Sequence, residues 1–241
     1  MIKKISILRK NILRFWHKLT FNKVDSYYLK WLGFANAGMM NAGNIYQLDY
    51  AIKNLPENGA IVEIGSFSGL STNIINWMKV KYNKKNILFT CDKWDFEGSN
   101  IEYLQESNIL FSDYKIFIKE SFIRNISFFS KNMTTHTIEA YSDEFFNYWA
   151  SSSSKFDVFG NKINLGGEIA FCFIDGDHSY KQSLKDFKNV DKFLTKGGFI
   201  LFDDSADFSN FGSRRTAKEV ISKPNYKLIS KNPNYLVQKI C

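Results

Sequence analysis

Short runs of uninterrupted apolar residues recur along the chain, each closed by a glycine or a carboxylate. Residues 60–64 (AIVEI) end at Gly65, 87–91 (ILFTC) at Asp92, 168–174 (EIAFCFI) at Asp175 and 198–202 (GFILF) at Asp203. A strand with one face in water would alternate apolar and polar positions, so continuous runs predict strands covered on both faces. Between them the period changes. Leu70, Ile74, Ile75, Trp77 and Met78 fall at helical spacing over 70–80, and Asn44 to Leu55 reads as a helix halted by Pro56. Tyr180, Leu184, Phe187, Val190 and Leu194 make the buried stripe of another helix, opened by a Ser179/Gln182 capping box and closed by Gly197 and Gly198. Tyr226–Ser230 and Tyr235–Ile240 predict two strands folded back about Asn232, Pro233 and Asn234. Residues 151–167 begin with four serines and show no period; they read as a surface loop or as a lid over a ligand. Strand and helix alternating in this way predict an α/β fold, doubly wound around a mostly parallel sheet with a C-terminal antiparallel hairpin. The boundary falls near Pro56, with a helical segment over 1–55 and the α/β domain over 56–241.

Composition narrows the picture. With 241 residues, 44% of them hydrophobic and 17% aromatic, the chain has enough apolar material for one large core. Cys91, Cys172 and Cys241 are odd in number and widely spaced, which suits neither a disulfide framework nor a zinc pair and points to a reducing cytoplasm. The net charge of +8 reads as a solvated basic surface, because no basic tract interleaved with aromatics is present to hold nucleic acid. The first twenty residues place Ile5, Leu8, Ile12, Phe15 or Trp16, and Leu19 at helical spacing among lysines and arginines. Such a helix is expected to pack on its own domain or on a second copy in a homo-oligomer; a peripheral contact with the inner face of the membrane is the rival use. Arg9, Lys10 and Arg14 interrupt any signal-peptide core, and no apolar run is long enough to span a bilayer.

Two motifs carry candidate chemistry. The first, V-E-I-G-S-F-S-G over 62–69, lies between a strand and a helix. Phe67 stands where a dinucleotide fingerprint needs its middle glycine, so a pyrophosphate is excluded, while Gly65 and Gly69 still permit a sharp turn beside a ligand. The second pairs F-I-D-G-D-H-S-Y (173–180) with G-G-F-I-L-F-D-D-S (197–205). Asp175, Asp203 and Asp204 close two strands that such sheets usually make neighbours. Their charges would repel unless a hard divalent cation neutralised them, the plainer alternative being that one or two merely cap turns. Asp177 is expected to cap the following helix.

The first motif resembles the class I S-adenosylmethionine-dependent methyltransferases, whose Rossmann-like fold has a seven-stranded sheet. The resemblance implies S-adenosyl-L-methionine as cofactor, with Glu63, Gly65, Ser66 and Gly69 in the loop that wraps it and Asp92 accepting from both ribose hydroxyls. It also implies adenine contacts near Ala140, Tyr141 and Ser142; Trp94 is read either as a wall of that site or as core. The second motif resembles the metal-dependent O-methyltransferases, and in its D-G-D-H-S-Y form the macrocin and mycinamicin sugar O-methyltransferases. That implies Mg²⁺ on Asp175, Asp203 and Asp204, His178 as catalytic base, and a sugar or other small hydroxylated molecule as acceptor. The resemblance covers about 60–205. Two other functions compete: a non-catalytic binding module on this fold, and a metal-dependent oxygenase. The latter would want two histidines and a carboxylate, and with only His17, His136 and His178 in the chain it would need His136.

Overall fold

The computed structural model describes residues 7, 9–15, 21–95 and 102–241. In chain order its elements are α1 (Tyr27–Ala35), α2 (Ala42–Lys53), β1 (Ala60–Ile64), α3 (Leu70–Lys81), β2 (Leu88–Asp92), α4 (Phe111–Phe129), β3 (Thr135–Glu139) and α5 (Ser142–Ala150). There follow β4 (Ser154–Phe156), β5 (Lys162–Asn164), β6 (Ile169–Ile174), α6 (Tyr180–Asp191), β7 (Leu194–Phe202), α7 (Ser213–Ile221), β8 (Tyr226–Lys231) and β9 (Tyr235–Lys239). Seven strands form one sheet in the order β3-β2-β1-β6-β7-β9-β8. The first five are parallel; β9 runs antiparallel to both β7 and β8.

The two covered faces are visible in the strand residues. Ile61, Phe171, Phe173, Phe199 and Leu201 point to one side, where Leu29 and Leu32 of α1, Leu48 and Ile52 of α2, and Ile74, Ile75 and Met78 of α3 pack on them. Their chain neighbours Val62, Cys172, Ile174, Ile200 and Phe202 point to the other, against Phe145 and Trp149 of α5, Phe187 and Val190 of α6, and Val220 of α7. Successive strand side chains face opposite ways, so only a sheet sandwiched by helices buries both sets. α1 and α2 fall in the segment read as helical, and their leucines and Ile52 belong to this core.

Several boundaries differ from the sequence pattern. The helix after Ser179 ends at Asp191, not at the glycine pair. Leu194 stays buried in the same apolar cluster but already belongs to β7, so a stripe continuous in packing spans a break in backbone form. Gly197 and Gly198 therefore lie inside a strand, where a Cβ on Gly198 would come within 3.0 Å of the Ala170 carbonyl oxygen. The capping box is half formed: Ser179 Oγ accepts from the Gln182 N–H at 3.2 Å, but the Gln182 side chain turns to Ser142 and Asp186 instead. Residues 151–167 hold the antiparallel β4/β5 hairpin, which docks on the β3 edge through the Val158 N–H to Thr137 carbonyl bond of 2.9 Å.

Near the N-terminus, residues 9–15 are helical. Ile5, Leu8, Trp16 and Leu19 of the expected stripe lie outside the described residues, and Ile12 and Phe15 are exposed. The contacts to the domain come instead from cations: Lys10 donates to the Asn210 side chain, and the Arg14 guanidinium lies 5.5 Å from the Phe208 ring centroid. No helix among the described residues is long and apolar enough to cross a membrane.

Candidate functional site

Strand order reverses between β1 and β6, so the connections leaving their carboxyl ends diverge and open a crevice there. A cavity of about 1120 Å³ occupies it, walled by the β1–α3 loop, the ends of β2, β6 and β7, and the residues after β3. Its floor requires Gly65. That residue has φ +82°, and a Cβ would sit 2.1 Å from the Asp175 carbonyl oxygen. The loop that follows is held from below by Asp92, whose Oδ2 accepts from the N–H groups of Ser66 (2.8 Å) and Phe67 (2.9 Å) while Oδ1 accepts from Trp94 (2.6 Å). Burial raises the Asp92 carboxyl, and these three bonds oppose the rise.

Of the residues expected to touch a cofactor, Gly65, Ser66, Asp92, Tyr141 and Ser142 line the cavity. Asp92 does so with Oδ2 already accepting two backbone bonds and Oδ1 one, so the lone pair left for a ligand hydroxyl is on Oδ1. Glu63 and Gly69 are behind the wall. Glu63 is fully buried and accepts from Thr72 Oγ1 at 2.5 Å; burial pushes its carboxyl up to about 7. Gly69, at φ +90°, is the residue from which α3 starts. Trp94 is core: it is fully buried against Ile118, Phe122 and Ile126 and donates from Nε1 to the Phe67 carbonyl.

On the β3 side, the Tyr141 hydroxyl donates to Asp95, which also pairs with Lys115 at 2.5 Å. Ser142 donates to Asp186 Oδ1 at 2.6 Å, and Gln182 Nε2 donates to both, at 3.1 and 3.0 Å. Burial pushes the Asp186 carboxyl up to about 6. None of Asp95, Gln182 and Asp186 was legible as site residues. Asp186 sits on the buried face of α6, where Gln182 one turn earlier and Ser142 across the fold are its partners.

The acidic end is formed by β6 and β7. Single ligand atoms of Asp175, His178 and Asp203 lie within 4.8 Å of one another. His178 Nε2 is 3.9 Å from Asp175 Oδ1 and 3.9 Å from Asp204 Oδ2. Asp204 stands beside this group, left-handed at φ +48° and with its side chain 43% exposed. Of the three aspartates expected to converge, Asp175 and Asp203 thus meet tightly, with His178 as the third member. Burial, reinforced by Asp203, Glu63 and Asp204, pushes the Asp175 carboxyl well above the usual range. Burial followed by Asp203 raises Asp204, against the opposing pull of His178. Two crowded carboxylates with an imidazole, and no lysine or arginine paired to them among the described residues, have the donor chemistry of a divalent-cation site.

Asp203 is aimed from outside that group. Its Oδ1 accepts from the side-chain amides of Asn44 on α2 and Asn234 before β9 (2.8 Å for the latter), and Asn234 also donates to Asn44 Oδ1 at 2.9 Å. Both asparagines are buried. Sequence pattern missed them, since an asparagine on a helix or in a turn carries no periodic signal. Asp177, expected to cap α6, instead accepts from the Ser179 N–H at 2.7 Å and braces the preceding turn, the cap itself being Ser179. His136 is on β3, with Nδ1 2.8 Å from Asp157 Oδ2, and does not line the cavity. His17 lies outside the described residues, so among those described His178 is the one histidine at the cavity.

The fold is shared with solved O-methyltransferases. The O-methyltransferase of Bacillus cereus, solved with S-adenosylhomocysteine, superposes with a TM-score of 0.56 at 14% identity, covering 90% of this chain and 92% of that one. The tomaymycin-synthesis O-methyltransferase of Streptomyces achromogenes, solved with S-adenosylmethionine, gives 0.54 at 12% identity over 96% of each chain. The TDP-rhamnose 3'-O-methyltransferase of calicheamicin biosynthesis gives 0.54 at 14% identity over 90% of this chain and 97% of that one. An uncharacterized protein of Acanthamoeba polyphaga mimivirus is 46% identical over 44 residues, which is 18% of this chain and only 20% of that protein's length. Residues 62–205, more than half of the chain and the span from the glycine-bearing turn to the aspartate pair, match the family described as "Methyltransferase domain". The chain belongs to that methyltransferase family.

Proposed function

We propose that this protein is an S-adenosylmethionine-dependent O-methyltransferase that uses Mg²⁺ and acts on a sugar or another small hydroxylated acceptor. The observation that carries the reading is one cavity with two chemically different ends: a backbone-lined loop over Asp92 at one, and the Asp175, His178 and Asp203 group at the other. S-adenosylmethionine would supply the methyl group from a site over Gly65 and Ser66. A divalent cation on Asp175 and Asp203, with Asp204 alongside, would lower the pKa of an acceptor hydroxyl. The protein's own part is positional. Asn44 and Asn234 hold one oxygen of Asp203 and so fix the carboxylate that belongs to the group. Gly65 lets the cofactor loop cross directly over the Asp175 backbone, so the two ends are rigidly spaced, and alignment of the reacting atoms follows from that spacing. His178 is placed to take the hydroxyl proton, since an imidazole is the side chain best suited to accept one near neutral pH.

Transfer of label from methyl-labelled S-adenosylmethionine to a sugar panel, with Mg²⁺ and with excess chelator, tests the reading. Label transfer that stops in chelator and returns with Mg²⁺ is expected; tight NAD binding without S-adenosylhomocysteine binding refutes it. His178→Ala should lower the single-turnover rate by about 10²–10⁴-fold at saturating Mg²⁺. If saturating Mg²⁺ restores the wild-type rate, His178 supports a metal-binding carboxylate and is not the base.

A further inference from the structure

A second cavity, of about 550 Å³, opens beside the first and shares Asn41 and Asp204 with it. Its walls are of three kinds. Phe21, Phe208, Phe211 and Pro233 are flat and apolar; Asn41 and Asn210 offer amides, the amide of Asn234 being committed to Asp203, Asn44 and the Ala206 N–H; Arg14 supplies a guanidinium. Of its two charged wall residues, Asp204 is shared with the first cavity and Arg14 lines the second alone. Asp204 is the acid among its wall residues and marks the end at the Asp175, His178 and Asp203 group. Arg14 lies over Phe208 and makes no ion pair with a carboxylate among the described residues, and Lys10 reaches the wall by donating to Asn210. A guanidinium at a cavity wall without an acid to neutralise it is a ready fork for an anionic oxygen group, and the ring beneath it holds its plane.

From this arrangement we infer that the second cavity is the acceptor subsite and that Arg14 binds an anionic group, a phosphate or a carboxylate, carried by the hydroxylated acceptor. The inference rests on the O-methyltransferase reading and adds the class of acceptor. An anion at the Arg14 end keeps clear of the aspartates, while the hydroxyls reach toward Asp204, the border with the methyl-donor cavity. Apolar and amide walls between the two ends suit a sugar ring, whose C–H face packs on aromatic rings and whose hydroxyls pair with amides.

Calorimetry on the full chain with S-adenosylhomocysteine and Mg²⁺ tests it, using TDP-rhamnose, galacturonate and neutral rhamnose as probes, with Arg14→Gln and Arg14→Lys as variants. Expected is tighter binding of at least one anionic probe than of rhamnose, weakened by added salt, lowered about ten- to a hundredfold by Arg14→Gln and partly restored by Arg14→Lys. Preference for TDP-rhamnose assigns the site to phosphate, and preference for galacturonate assigns it to carboxylate. The inference is overturned if no anionic probe binds more tightly than rhamnose, or if Arg14→Gln binds them as wild type does. S-adenosylhomocysteine affinity should be the same in all three proteins. Its absence from wild type would overturn the methyltransferase reading itself, a result distinct from loss of the Arg14 effect alone.

Discussion

Replacing Gly65 by alanine tests the central geometric claim, that the cofactor loop and the acidic end are joined through one close backbone crossing. Two costs add at this position. With φ at +82° the residue is in the left-handed region, which costs an L-residue roughly 1–2 kcal/mol. The new Cβ would also lie 2.1 Å from the Asp175 carbonyl oxygen, about 1 Å inside van der Waals contact, and its neighbour is backbone just past the end of the central strand β6, which yields only by shifting Asp175. Overpacking of that kind costs about 1–3 kcal/mol more. The sum, about 2–5 kcal/mol, corresponds to a fall in Tm of roughly 4–20 °C for a domain of this size. Gly160→Ala separates the two costs: its φ is +83°, but nothing lies within 4 Å of its Cβ, so only the conformational term applies. Urea denaturation of both variants, with calorimetry of S-adenosylhomocysteine and Mg²⁺, reads stability and both ends of the cavity together. Gly65→Ala should be the less stable variant and should weaken both ligands, because relief of the clash moves Asp175 as well as the loop. Equal destabilisation by the two substitutions, or loss of one ligand with the other untouched, would refute the argument.

Other outcomes follow from the same structure. Glu63, raised from 4.5 to about 7, holds a proton in the folded state that the unfolded chain has released between those values, so stability should fall as pH rises from about 4.5 to 7. The change is on the order of 3 kcal/mol, and Glu63→Gln should flatten that part of a pH series of urea midpoints; an unchanged slope would count against it. Asn44→Ala removes one of the two amides on Asp203 and should cost about 1–3 kcal/mol in stability while weakening Mg²⁺ binding about 10–100-fold, with S-adenosylhomocysteine affinity kept. Unaltered metal binding would show that Asp203 needs no such support. Gly33 lies within α1 with open space around its Cβ, so Gly33→Ala should stabilise the protein by about 0.5–1 kcal/mol, read as a higher urea midpoint.

Local chemistry was enough to mark four of the five parallel strands, the exception being the mixed-polarity β3, and the ends of the site. β1 has the bounds that its apolar run predicts, and β2 and β6 differ from theirs by one residue, because continuous burial leaves a one-dimensional signature that a turn residue then closes. Asp175, Asp203 and Asp204 were legible for the same reason, lying just past strand ends where a doubly wound sheet binds ligands, and His178 through the resemblance of its motif. What the tertiary structure alone decided are pairings between distant residues. Asn44 and Asn234 meet Asp203 across 159 and 31 positions. Asp186 finds Ser142 across 44. The end of α6 belongs here as well: Leu194 keeps its place in the apolar stripe while the backbone passes from helix to strand, so periodicity in side chains cannot report where the hydrogen bonding changes. Glu63 and Gly69 belong to the motif without lining the cavity, because Glu63 on β1 turns to Thr72 of α3 and Gly69 lies against Phe122 and Ile126 of α4. The sequence determines which residues sit at the strand ends, through burial and turn chemistry; which of them meet, and which asparagines join them, depends on contacts that exist only once the sheet has closed between its helices.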